Sequence, residues 1–62
     1  MNVRIGDRIR IIEMNGEPQY AGREGVVRLI DDAHQIHGSW GGCAIVPGLD
    51  RFEVIARDQP IE

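Results

Sequence analysis

Residues 4–12 hold the strongest constraint on how this chain folds. Ile5, Ile9 and Ile11 occupy odd positions, while Arg4, Arg8 and Arg10 occupy even ones. An extended backbone sends successive side chains to opposite faces, so this alternation reads as a strand with isoleucines inward and guanidinium groups toward water. Period-2 patterning continues along the chain and no helical stripe competes with it. A second strand is expected over about Glu24 to Ile30, with Val27 and Leu29 inward and Val26 and Arg28 outward. Burying Ile30 as well needs a local bulge. A third strand, Gln35 to Trp40, places Ile36, Gly38 and Trp40 on one face and His37 and Ser39 on the other. Gly38 inside it marks a bend or the close approach of another backbone.

Turn chemistry fills the gaps. Asn15-Gly16, Pro18 and Gly22 make Met14 to Gly22 an irregular connection, longer than a tight hairpin turn. Asp31-Asp32-Ala33-His34 supplies the next turn, its aspartates able to bond nearby backbone amides. Gly41-Gly42 leads into a short fourth strand, Cys43 to Val46, and Pro47-Gly48-Leu49-Asp50 turns again, with a single 3₁₀ turn expected there. The fifth strand runs from Arg51 to Ile55, with Phe52 and Val54 inward. Five short strands with frequent turns predict an all-β chain, a small five-stranded SH3-like β-barrel in a single domain over residues 1–56. A polar, frayed tail over 57–62 is expected to follow. The expected core is Ile5, Ile9, Ile11, Val27, Leu29, Ile36, Trp40, Ile45, Leu49, Phe52 and Val54.

Composition removes several function classes. The chain has 62 residues, a net charge of −3 and one cysteine, Cys43. No intrachain disulfide can form, and a lone thiol suits a reducing compartment. The start of the chain shows no apolar signal core and no apolar run is long enough to cross a bilayer, so a cytoplasmic location without a membrane role is expected. All seven cations are arginine, threonine is absent, and Ser39 is the single serine. Schiff-base chemistry and the P-loop, which both need lysine, are thereby excluded. The acidic balance argues against indiscriminate binding of nucleic acid or anionic membrane.

Candidate chemistry is sparse. His34, His37 and Cys43 are the metal-ligand types that fall near one another, but a structural zinc needs four ligands and their spacing straddles a turn and a strand. No metal and no cofactor are expected. Ser39 or Cys43 with His37 as base lacks any recognised nucleophile motif, and a barrel this small fills its interior with side chains. The expectation is that the chain is not an enzyme and has no catalytic residues. Asp31-Asp32 reads as a solvated turn. The arginine face is more suggestive: Arg4, Arg8 and Arg10 span roughly 20 Å at about 3.3 Å per residue, with Arg28 beside them and His37 on the next strand. Such a face would meet phosphates. The plainer reading is that these arginines pair with Glu13, Glu24 or Glu53. Tyr20 is the aromatic best placed to stack, and with Pro18 and an edge of Trp40 it would line a peptide groove. An edge at Cys43 to Val46 would pair with a second copy.

Two resemblances join this reading. Gly6-Asp7-Arg8-Ile9-Arg10-Ile11 followed by Gly22-Arg23-Glu24-Gly25-Val26-Val27 resembles the KOW-type first hairpin of SH3-like barrels. Val26 to Asp32, Gln35-Ile36-His37, Trp40-Gly41-Gly42 and Val46 to Phe52 resemble an uncharacterised family of short bacterial and mobile-element proteins, a domain of unknown function with an SH3-like fold. The likeness covers about Ile5 to Ile55. That family carries an acidic or amide residue after the tryptophan, where this chain has Gly41. It implies a fold and no activity. The expected function is a non-catalytic binding or accessory module, acting through protein–protein contact or self-association. The alternative is KOW-like nucleic-acid or anion binding through Arg8, Arg10, Arg28, His37 and Tyr20.

Overall fold

In the computed structural model, which describes residues 3–57, the alternating segment forms the strand the pattern demands. Strands β1 (Arg8–Glu13), β2 (Glu24–Ile30), β3 (Ile36–Gly38) and β4 (Arg51–Ala56) make one antiparallel sheet in the order β3-β2-β1-β4. A single 3₁₀ turn, Pro18–Tyr20, interrupts the β1–β2 connection, whereas residues 47–50, where one was expected, form a hydrogen-bonded turn in which the N–H groups of Leu49 and Asp50 both donate to the Val46 carbonyl. No α-helix occurs among the described residues, so no helix is long and apolar enough to cross a membrane.

The expected fourth strand needs correction, while the expected fifth is present as β4. Residues 43–46 form no named strand; Ile45 makes an isolated bridge to Ile36, each N–H bonding the other's carbonyl at 2.8–2.9 Å. The third strand is likewise shorter than Gln35 to Trp40. The described residues thus form an open four-stranded sheet, and closure into a five-stranded barrel is not part of it. Of the expected tail, Arg57 is described and residues 58–62 lie outside the described residues.

The core gathers Val3, Ile9, Ile11, Met14, Val27, Ile36, Trp40 and Ile45, with Tyr20, Ile30, Cys43, Phe52 and Val54 packed against it. Ile9 and Ile11 are wholly buried while Arg8 and Arg10 are exposed, so the first strand's alternation holds. Three other expected core residues are exposed: Ile5 at 58%, Leu29 at 51% and Leu49 at 63%. Ile5 falls in a turn, where the Asp7 N–H bonds the Arg4 carbonyl before β1 begins. Leu49 sits in the 46–50 turn. Leu29 follows a bulge: Val27 pairs with Gly38 and Leu29 with His37, which leaves Arg28 as an extra residue. The bulge flips the later parity, exposing Leu29 and turning Ile30 partly inward. Two more bulges leave Ile12 and Ile55 unpaired between β1 and β4, and both are exposed.

Gly38 has the close approach that a glycine inside a strand suggested. A Cβ there would overlap the Trp40 ring and the Val26 carbonyl oxygen. Trp40, 3% exposed, can therefore pack against Gly38 and donate its indole N–H to the Cys43 carbonyl at 2.8 Å.

Candidate functional site

The arginine face exists, and it is neutralised. β1 is flanked by β2 and β4, and Arg10 stands opposite Glu24 on one side and Glu53 on the other. Its guanidinium reaches Glu24 at 3.2 Å and Glu53 at 2.9 Å, while Arg8 reaches Glu24 at 3.4 Å. The hydrogen bond from Arg10, opposed by desolvation and aided by Arg8, holds the Glu24 carboxyl below its usual pKa. Glu24 in turn, with Glu53, pushes the Arg10 pKa further up. Two arginines and two glutamates on adjacent strands leave no surplus charge in this patch. Exposed pairs of this kind add little stability, because water competes for each partner. Glu13, also proposed as a partner, faces Arg51 in the β1–β4 register.

The remaining proposed residues are dispersed. Arg28 is exposed at the β2 bulge, where the alternation that would carry it beside Arg8 is broken, and it makes no ion pair among the described residues. His37 Nε2 lies 2.8 Å from Asp31 Oδ2. Asp31 Oδ1 accepts the N–H groups of Ala33 and Gln35, so the 31–35 turn is built around this carboxylate. The hydrogen bond from His37, then that from Gln35, lowers the Asp31 pKa. His34 takes a left-handed φ of 62° in the same turn and points to solvent.

Tyr20 is half-buried and belongs to a latch between two loops. The Arg23 guanidinium stacks 4.2 Å above its ring and also donates to the Trp40 carbonyl at 3.1 Å. Gly41, at φ 148°, lies so close beneath the ring that a Cβ there would come within 2.7 Å of the hydroxyl. Cys43 Sγ donates to Glu17 at 3.4 Å. Trp40 is buried in the core, and Tyr20 lies against Gly41. His34, His37 and Cys43 are not brought together, because the thiol turns to Glu17 and His37 to Asp31.

Two buried carboxylates escaped sequence reasoning. Asp50 accepts the N–H of Asn15 at 2.8 Å and that of Val46 at 2.7 Å, tying the β1–β2 connection to the turn before β4. Asp7, fully buried, accepts the Arg4 N–H at 2.9 Å and the Arg57 guanidinium at 3.0 Å. Both occupy turn-rich stretches that otherwise read as exposed, and no local signal marks an aspartate that tertiary packing will cover.

An open groove of about 340 Å³ is lined by Val3, Phe52, Val54 and Arg57. Among the described residues β4 ends the sheet order, with β1 as its single strand neighbour. Odd residues of β1 turn their backbone groups to β2: the Ile11 N–H bonds the Arg23 carbonyl, and the Asp7 carbonyl accepts from Val27. Even residues therefore face β4, which makes Arg10–Glu53 a hydrogen-bonded pair and turns the backbone groups of Phe52 and Val54 away from the sheet.

Fold and surface together define a small all-β domain with a charge-paired sheet face and, among the described residues, β4 at one edge of the sheet. The chain belongs to the family described as Domain of unknown function (DUF4314), which it matches over residues 2–55. Comparison with curated proteins and with solved structures finds no match in either.

Proposed function

We propose that this chain is a non-catalytic interaction module that takes an additional extended segment along β4. One observation carries the reading: an open groove lined by Val3, Phe52, Val54 and Arg57 runs beside a strand whose outward N–H and C=O groups meet no other strand among the described residues. Strand addition uses such an edge, main-chain bonds giving affinity and side-chain pockets giving selectivity. The proposal includes a cytoplasmic setting, a bacterial or mobile-element origin and an SH3-like wrap with a KOW-like first hairpin. In support of that wrap, Ile45 extends the order to Ile45-β3-β2-β1-β4.

The competing nucleic-acid reading uses Arg8, Arg10 and Arg28. It requires Arg8 and Arg10 to leave Glu24 and Glu53, which weighs against it. A photoactivatable crosslinker at position 51, in cells of the native host, tests the proposal against a control at Asp32. Protein adducts from position 51 and none from 32 are expected. No adduct from 51, or equal yields from both, refutes the reading. Titration of labelled DNA and RNA at low and moderate salt should show no saturable binding; binding abolished by Arg10→Ala would install the nucleic-acid reading instead.

A further inference from the structure

We infer that the segment received by β4 is the β4 of a second copy, paired antiparallel about a two-fold axis at Phe52; this rests on the proposed use of that edge. The backbone groups of Phe52 and Val54 point outward, so either residue can sit on the axis as a self-paired, hydrogen-bonded residue. Glu53 can sit there as a non-hydrogen-bonded centre. Charge separates the three registers. Centring on Glu53 sets Glu53 against its own copy, and centring on Val54 sets Glu53 against Ile55 and offers no opposite charge, since Arg57 lies beyond the Ile55 bulge and is held by Asp7. Centring on Phe52 sets Arg51 against Glu53 twice, once on each side of the axis.

That register also suits the apolar side. A two-fold axis perpendicular to the sheet keeps each face continuous, so the two Phe52 rings meet on the core side where the two grooves adjoin. The opposed charges lie on the outer face with Glu53, whose Oε1 engages Arg10 while Oε2 makes no bond among the described residues. Directly opposed residues on neighbouring strands interact, attracting when opposite in charge and repelling when alike. The β3 side is a poorer site for a second copy: β3 has three residues and Ile45 already bridges it.

The test uses the full chain carrying Cys43→Ala, with Arg51→Cys in one sample and Glu53→Cys in another. Under mild oxidation, a mixture of the two should form covalent dimers far faster than either alone, since position 51 faces position 53 of the other copy. Sedimentation of the unaltered chain should show a concentration-dependent dimer. Arg51→Glu, which makes both opposed pairs repulsive, should weaken that dimer about tenfold or more, tenfold corresponding to about 1.4 kcal/mol. A monomer up to millimolar concentration overturns the inference. So does a mixture that crosslinks no faster than Glu53→Cys alone. Should these fail while the crosslinker at position 51 still captures a different protein, the second copy is ruled out and the edge-binding function stands.

Discussion

Replacing Asp50 tests the architecture most directly, because one buried side chain joins three segments. Its carboxylate accepts one N–H from Asn15 and another from Val46, and Arg51 begins β4 immediately after it. Asp50→Ala removes both acceptors and leaves two donors unmade in a covered site. Each orphaned group costs about 1–3 kcal/mol, so the pair is worth about 2–6 kcal/mol. A domain of this length has roughly 3–9 kcal/mol of total stability at 0.05–0.15 kcal/mol per residue. The alanine variant should therefore lose from about a quarter of its stability to all of it, and at the upper limit be unfolded at 25 °C. Asp50→Asn keeps one acceptor oxygen but turns an NH₂ toward the second donor, so its loss should fall between the other two. Urea unfolding followed by Trp40 fluorescence, with unchanged slope and a midpoint falling in the order Asp, Asn, Ala, is the expected result. An asparagine variant as stable as the parent, or an alanine variant losing under 1 kcal/mol, would refute the claim that Asp50 ties these segments together.

Gly41→Asn should displace the Tyr20 ring, because a Cβ meets that ring at 2.7–2.8 Å. Loss of the Tyr20–Arg23 stack, read as altered ring chemical shifts, with about 1–3 kcal/mol of destabilisation, is expected; unchanged shifts would contradict it. Ile11→Ala should cost about 2–5 kcal/mol by opening a cavity, and Ile12→Ala, one position on, less than about 0.5 kcal/mol. Equal losses on denaturation would mean the bulge at Ile12 is misplaced. The Glu24 pKa is lowered in the folded chain, so its contribution is present above the usual carboxylate range and is lost as pH falls through it. The gap in melting temperature between the parent and Glu24→Gln should close from pH 7 to pH 3, and a gap independent of pH would remove Arg10 and Arg8 as the cause.

Much of the fold was legible because burial and alternation share a period. Ile9, Ile11, Val27, Ile36, Trp40 and Ile45 were all placed correctly by parity or turn position. The second strand's limits, Glu24–Ile30, match as well. Even the bulge was anticipated from Ile30, but its location was not, and Leu29 was lost with it. The pairing of arginines with Glu24 and Glu53 was available as the plainer reading. What could not be read was which strands neighbour one another, and hence that Arg10 has a glutamate on both sides while Arg28 has none.

Alternating isoleucine and arginine dictated a strand, its inward face and its outward face, because a pleated backbone leaves no other arrangement for side chains of such different affinity for water. Glycine and proline dictated where the chain turns. Strand order, the three extra residues at the bulges, the burial of Asp7 and Asp50 and the place of β4 at an edge of the sheet arose only when distant segments met. A single side chain carries no local record of which backbone N–H groups will be brought to it, nor of which edge will be left without a neighbour.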